Sequence, residues 1–446
     1  MHPIPEPFHS HAVERAVRKI SDSIEDNELR ATFLSCATRT LRTSVLFHNH
    51  PHAPDTFIVS GDAQAMSLRD SAAQVHAYIR FLGEDEQLAK MVQGLVRRHL
   101  RSILIDPYAD AFTYTPISQT EHSADLTTMK PGVFERKYAI DSLCYTLRLV
   151  FSYWSATGDA EVLDDEWQRA MRRVVEIWRL EQNHASDSGY RFQRLHCPDT
   201  DTLSHSGLGS PVAFTGMSWS GFRPGNTRCE YHCNIPGQAF ATVALSHLAD
   251  LAVTRSLSQL AEEAYALQAD IGSGIEKFGK RIHPQTGESV YAYEVDGLGN
   301  ATFLDDPTPP SLLSLPYLGF CQPDDPVYCA TRSSCLTRWF TASSERPPEQ
   351  LTGAAQAATS TEYPMAMIMC ALTSTSQAEI HHCLAALLNN NPGARQVIHS
   401  EAGNDGHEFA RPWTPTATSL FGELIFHLAE HWPQVLVDFR SPRPGD

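Results

Sequence analysis

Apolar residues return at steps of three and four along most of this chain. Leu88, Met91, Val92, Leu95, Val96, Leu100 and Ile103 form one such stripe, and Leu163, Trp167, Ala170, Met171, Val174 and Trp178 form another. This is the period of an amphipathic helix with one buried face. Residues 139–156, 240–253, 257–278, 378–388 and 416–431 follow the same rule. Counted from His11 to His431, about a dozen helices are expected, separated by short turns such as Thr157-Gly158-Asp159. Strand-like alternation is sparse. Tyr291 to Val295 and Ala301 to Leu304 flank the turn residues Asp296 to Asn300 and predict one hairpin.

A dozen helices in hairpin-like succession suit a two-layer ring, six inside and six outside. The expected fold is therefore all-α, an (α/α)6 barrel with one small β-hairpin. A closed ring also explains how 446 residues without a compositional break could form one domain, 1–446. Longer polar insertions at 184–215, 338–361 and 389–410 are expected to gather at one rim and line a central pocket.

Composition narrows the function classes. Hydrophobic residues make up 42% and charged residues 20%, ordinary for a globular chain, and the formal net charge is −17. That charge argues against nucleic acid and anionic membrane surfaces as partners and leaves a small molecule. No stretch is apolar enough to span a bilayer, and the first residues lack a hydrophobic core of the signal-peptide kind. The expectation is a cytoplasmic protein, although a trimmed signal peptide would leave no trace. Ten scattered cysteines show no paired spacing. Cys229, His232 and Cys233 lack a second ligand pair, so no metal and no cofactor are expected. Oligomeric state is not legible, and no phosphate loop or nucleophile elbow is present.

Eight stretches run in order along nearly the whole chain: GDAQAMSLRDSAAQV (61–75), DPYADAF (106–112), FERKYAIDSLCYTLRL (134–149), GMSWSGFRP (216–224), YAYEVDGLGN (291–300), DDPTPPSLLSLPYLG (305–319), YPMAMIMCALTST (363–375) and RPWTPTATSLFGELI (411–425). Together they resemble glycoside hydrolase family 125, the metal-independent exo-α-1,6-mannosidases. The resemblance implies an (α/α)6 barrel whose central pocket holds a terminal mannose that is hydrolysed with inversion. Inversion needs two carboxyl groups, one to protonate the leaving oxygen and one to deprotonate the attacking water.

Here the sequence departs from the family pattern. The family's acid lies in a Ser-Asp-Asp run after Gly-Phe-Arg-Pro, and the matching positions are Gly225, Asn226 and Thr227. The family's base is a Glu after a His. Here His399 is followed by Ser400, with Glu401 one place on, and either residue fits the base register. Loss of a general acid costs roughly a hundred- to ten-thousand-fold in rate, so hydrolysis is expected to be crippled. Aromatic positions change as well: the family's Trp residues correspond to Ser67 and His76, and Thr414, Thr416 and Thr418 replace Phe, Trp and Asn.

A frame that persists while the pocket changes points to a changed ligand. The first expectation is therefore a repurposed, non-hydrolytic enzyme that binds a largely apolar small molecule and promotes a cycloaddition. Such a reaction needs orientation and hydrogen-bond donors rather than paired carboxylates. The pocket would be similar to that of fungal hetero-Diels–Alderases of tropolone–sesquiterpenoid biosynthesis. The alternatives are a divergent inverting mannosidase and a non-catalytic glycan-binding protein.

In each case the expected catalytic groups are Arg223, Asn226, His399 and Glu401. The resemblance implies substrate contacts from Ser67, Arg69, Asp70, Trp219, Thr227, Tyr293, Arg411, Trp413 and Thr416. Each has a plainer reading. Arg69 and Asp70 suit a buried ion pair, Trp219, Tyr293 and Trp413 suit core packing, and His399 and Glu401 suit a solvated loop. Glu135, Arg136 and Asp141 read as structural. Asp305 and Asp306 read as caps of a helix over SLLSLPYLG rather than as chemistry.

Overall fold

A computed structural model describes residues 5–50, 53–60, 65–118, 120–345, 363–389 and 414–441. The expected stripes become helices Glu86–Ile105, Ile140–Thr157, Asp165–Leu180, Ile235–Thr254, Ser258–Gly274, Gln377–Asn389 and Pro415–His431. Local signals set their ends. Asp85, Asp164 and Asn234 cap N-termini by accepting the N–H of Leu88, Trp167 and Gly237. Gly158, at φ 68°, closes Ile140–Thr157 in a left-handed conformation that only glycine adopts without strain.

The helices form two layers. Helices Leu68–His76, Ile140–Thr157 and Ile235–Thr254 pack side by side, and Pro415–His431 joins Leu68–His76 to Tyr363–Leu372. Outside them lie Asn27–Ala37, Glu86–Ile105, Asp165–Leu180, Ser258–Gly274, Pro326–Glu345 and Gln377–Asn389. The inner helices are buried around most of their circumference, as Ile235–Thr254 and Pro415–His431 show. The outer Asp165–Leu180 buries a single face. This is the (α/α)6 barrel.

Two expectations need correction. Residues 311–320 form buried turns rather than a helix. Leu312, Leu313 and Leu315 are buried, Gly319 lies against Val243 and the Tyr317 hydroxyl donates to Glu423. Pro316 removes an N–H donor that a helix there would need. Strands are also more numerous than the single hairpin expected. Glu294–Val295 does pair with Ala301–Thr302, but Cys233–Asn234 adds a third strand, and Ser289–Tyr291 pairs instead with Lys280–Ile282. Val45–His48 pairs with Asp55–Ile58, and a fourth small sheet, Ala65–Ser67 with Ala111–Thr113 and Val133–Glu135, leads into the first inner helix. Strands of two or three residues are too short to show a period.

Candidate functional site

The inner helices present their N-terminal ends to one side, and a cavity of about 270 Å³ opens there. Helix Leu68–His76 contributes Arg69, Asp70 and Gln74. Thr414, Pro415 and Thr416 come from the start of Pro415–His431, and Met365 from the start of Tyr363–Leu372. Loops add Ser60, Thr308 and the turn Pro224-Gly225-Asn226. Eight of these twelve residues carry polar side chains. The volume is smaller than the roughly 300–1,000 Å³ of pockets for drug-sized ligands.

Arg69 is both wall and brace. Its Nη1 donates to Asp141 Oδ2 at 3.0 Å and its Nε lies 3.6 Å from Asp70 Oδ1, so the ion pair ties two inner helices together. The buried Arg69 Nε and Gln74 Nε2 have no hydrogen-bond partner among the described residues. Thr416 donates to Asp70 Oδ1 at 3.3 Å. Thr414 caps its own helix by accepting from Ala417, while Thr418 turns back to the Thr414 carbonyl and is buried away from the cavity.

The turn after Arg223 is tight. Arg223 N–H donates to the Thr227 carbonyl at 2.7 Å, and Asn226 N–H donates to the Arg223 carbonyl at 2.9 Å. Asn226 sits at φ 65°, a region asparagine tolerates better than most residues. Its amide donates to Glu135 Oε2 at 3.2 Å, and its carbonyl accepts from Lys137 Nζ. Burial works against charge on Glu135, but Lys137, His122 and Arg194 outweigh it and hold the carboxyl below its usual range. Glu135 is thus a structural anion. Arg136, donating to Asp106 at 2.7 Å, is likewise an internal tie.

Several expected contacts lie elsewhere. Trp219 does not line this cavity: it is sandwiched between His184, 3.7 Å away and parallel, and His232 at 4.6 Å. Arg223 is committed to Glu294, with Nε to Oε1 at 2.6 Å and Nη2 to Oε2 at 2.9 Å, and its guanidinium lies over the Tyr293 ring. This fork holds the loop in place rather than reaching toward a developing oxyanion. Tyr293 is fully buried beneath it. Ser67 caps helix Leu68–His76 through the Asp70 N–H, and Thr227 serves the turn through its carbonyl. His76 lies against Glu423, 2.8 Å away, outside the cavity. His399, Glu401, Arg411 and Trp413 lie outside the described residues.

His232, between the two cysteines, has both ring nitrogens engaged, Nδ1 by the Ser220 carbonyl and Nε2 by the Ser210 N–H. Among the described residues no group of three His, Cys, Asp or Glu side chains is placed to hold a metal, and no helix is long and apolar enough to cross a membrane.

The cavity also gathers residues outside the expected site, among them Ser60, Gln74, Thr308 and Met365. Gln74 follows Asp70 by four, a spacing that puts both on one helix face, so its place was legible. Thr308 carried no local signal. Asp306, read as a helix cap, accepts the Thr308 N–H at 2.8 Å and has its carboxyl immediately behind Gly225.

A ring of paired helices with a small polar cavity at the N-terminal ends of its inner layer defines an (α/α)6 barrel of the glycosidase kind. The family described as Metal-independent alpha-mannosidase (GH125) matches residues 26–426, and the chain belongs to that family. A metal-independent α-mannosidase from Streptococcus pneumoniae, solved in a non-productive complex with α-1,6-mannobiose, is similar over 95% of this chain and 100% of its own. Its identity is 32% and its TM-score 0.84. The meiotically up-regulated gene 157 protein of Schizosaccharomyces pombe (strain 972 / ATCC 24843) is 34% identical over 96% of this chain and 88% of its own length.

Proposed function

We propose that this protein is a glycoside hydrolase that takes a terminal α-mannosyl residue into the central cavity. The observation that carries the reading is the cavity's lining. Arg69, Asp70, Gln74, Asn226 and Thr416 surround a space of about 270 Å³ with donors and acceptors. Two of those side chains carry a buried N–H, Arg69 Nε and Gln74 Nε2, with no hydrogen-bond partner among the described residues. The α-1,6-mannobiose complex of the Streptococcus relative supports the same substrate class. Hydrolysis with inversion would draw the water's proton to a base, for which the sequence offers Glu401.

The test is direct. The chain is incubated with α-1,6-mannobiose, and the first-formed anomer of mannose is followed by proton NMR. Release of β-mannose supports the reading, and no turnover at any pH from 4 to 9 overturns it.

One observation favours a non-hydrolytic reading: no carboxyl stands at 225–227. Under it, the barrel promotes a cycloaddition on a larger, flatter and less polar molecule, or binds a glycan without turnover. Calorimetry with mannose separates the two. Binding without turnover fits a glycan-binding protein, and absence of binding fits a changed substrate.

A further inference from the structure

The turn that lost its carboxyls has also lost a side chain. Gly225 stands where the family pattern has serine, and a Cβ there would lie 2.6 Å from Asp306 Oδ2 and 3.2 Å from Oδ1. Real Cβ atoms do not approach oxygen so closely. Gly225 is not among the glycines with left-handed backbone, so its conformation does not call for glycine. A side chain at 225 would oblige the Asp306 carboxyl, the free end of its side chain, to turn aside.

We propose that Asp306, whose carboxyl lies directly behind the cavity-lining Gly225, is the proton donor of this protein and replaces the carboxyl absent from 226 and 227. The proposal rests on the glycoside hydrolase reading above. Its geometry is independent of that reading. The cavity-lining Gly225 and Thr308 flank the side chain, with the Thr308 N–H held on Oδ1 and Oδ2 turned toward Gly225. Asp306 is half-buried, more open than the buried Asp305 beside it.

A donor must hold its proton near neutral pH. Burial raises the Asp306 carboxyl above its ordinary range, against the Thr308 hydrogen bonds and the charges of Arg223 and Arg69. Asp305 and the Tyr293 hydroxyl are the other titratable groups that face it.

The step balances simply. Water attacks the anomeric carbon, and the bond from that carbon to the glycosidic oxygen breaks. Its electron pair stays on the departing oxygen, which takes the proton from Asp306. The water's second proton goes to the base, and Asp306 is reprotonated from solvent.

The test compares α-1,6-mannobiose with 2,4-dinitrophenyl α-mannoside, whose leaving group departs without protonation. With Asp306→Asn, kcat on mannobiose should fall at least a hundredfold while kcat on the aryl mannoside changes less than tenfold. The alkaline limb of the kcat/KM profile should also disappear. Gly225→Ser, which crowds the carboxyl, should show the same split, and adding Asn226→Asp to Asp306→Asn should restore part of the mannobiose activity.

If Asp306→Asn keeps its mannobiose activity, or loses both substrates equally, the assignment is overturned while the hydrolase reading stands. If the unaltered protein cleaves neither substrate, the hydrolase reading itself has failed.

Discussion

At Asp305 one carboxylate oxygen accepts the Leu312 N–H at 2.8 Å, and the other has no hydrogen-bond partner among the described residues. Burial pushes this group up to about 7, and the neighbouring Asp306 adds to the rise against the Leu312 bond. A carboxyl raised on folding favours the protonated folded state. Its contribution is therefore intact below the unfolded value near 3.8 and is lost as pH rises through about 7. Asp305→Asn should leave stability unchanged at pH 4 and raise it at pH 8 by on the order of 1–4 kcal/mol, read from urea unfolding at the two pH values. Trp219 gives a contrasting expectation. Because its two faces are covered by His184 and His232, Trp219→Phe should lower the melting temperature and leave mannose affinity within twofold by calorimetry. The motif around Trp219 was legible, but which wall its ring would join was not: both Ser218 and Ser220 are buried with it, so no alternation marks an exposed side. Arg69 and Asp70 could be read because they fall in GDAQAMSLRDSAAQV, one of the stretches that carry the family resemblance.

At the scale of elements, the cavity depends on where the inner helices begin. Thr414 starts Pro415–His431 and Ser67 starts Leu68–His76, each by accepting an N–H with its side chain. Thr414→Ala should cost about 1 kcal/mol of stability. Because Thr416 follows within the first turn and donates to Asp70, the same change should weaken mannose binding several-fold by calorimetry. Asp164→Ala removes the corresponding cap from the outer helix Asp165–Leu180. It should cost a similar amount of stability and leave binding unchanged. The helices were legible because each repeats its period over ten to twenty residues. The turns at 311–320 resemble a helix in sequence because their leucines are buried as a helix's would be, while Pro316 interrupts the run of N–H donors.

For the whole molecule, the buried histidines set a limit on the acid side. Burial brings His99 and His232 down to about 3 and His247 to about 4, so all three are neutral in the folded state at neutral pH. A histidine depressed on folding contributes fully above its unfolded value near 6.5 and loses that contribution as pH falls toward the folded value. Glu423 acts in the same direction at lower pH. Burial opposes its charge, but His76 and Arg148 outweigh burial and bring it to about 2, so its contribution fades below about 4.5. Melting temperature should therefore fall steadily from pH 6.5 to 3, and calorimetric scans across that range would check it. The sequence by itself determined the ring of helices, because the side chain's period along a helix is a local property that each segment carries alone. It also determined the family and the absence of a carboxyl after Pro224. Only the tertiary structure decided which side chains face the cavity. Gly225 and Thr308 meet there, with the Asp306 carboxyl behind Gly225, from segments some eighty residues apart, and no local pattern encodes a contact between loops that the closing of the ring brings together.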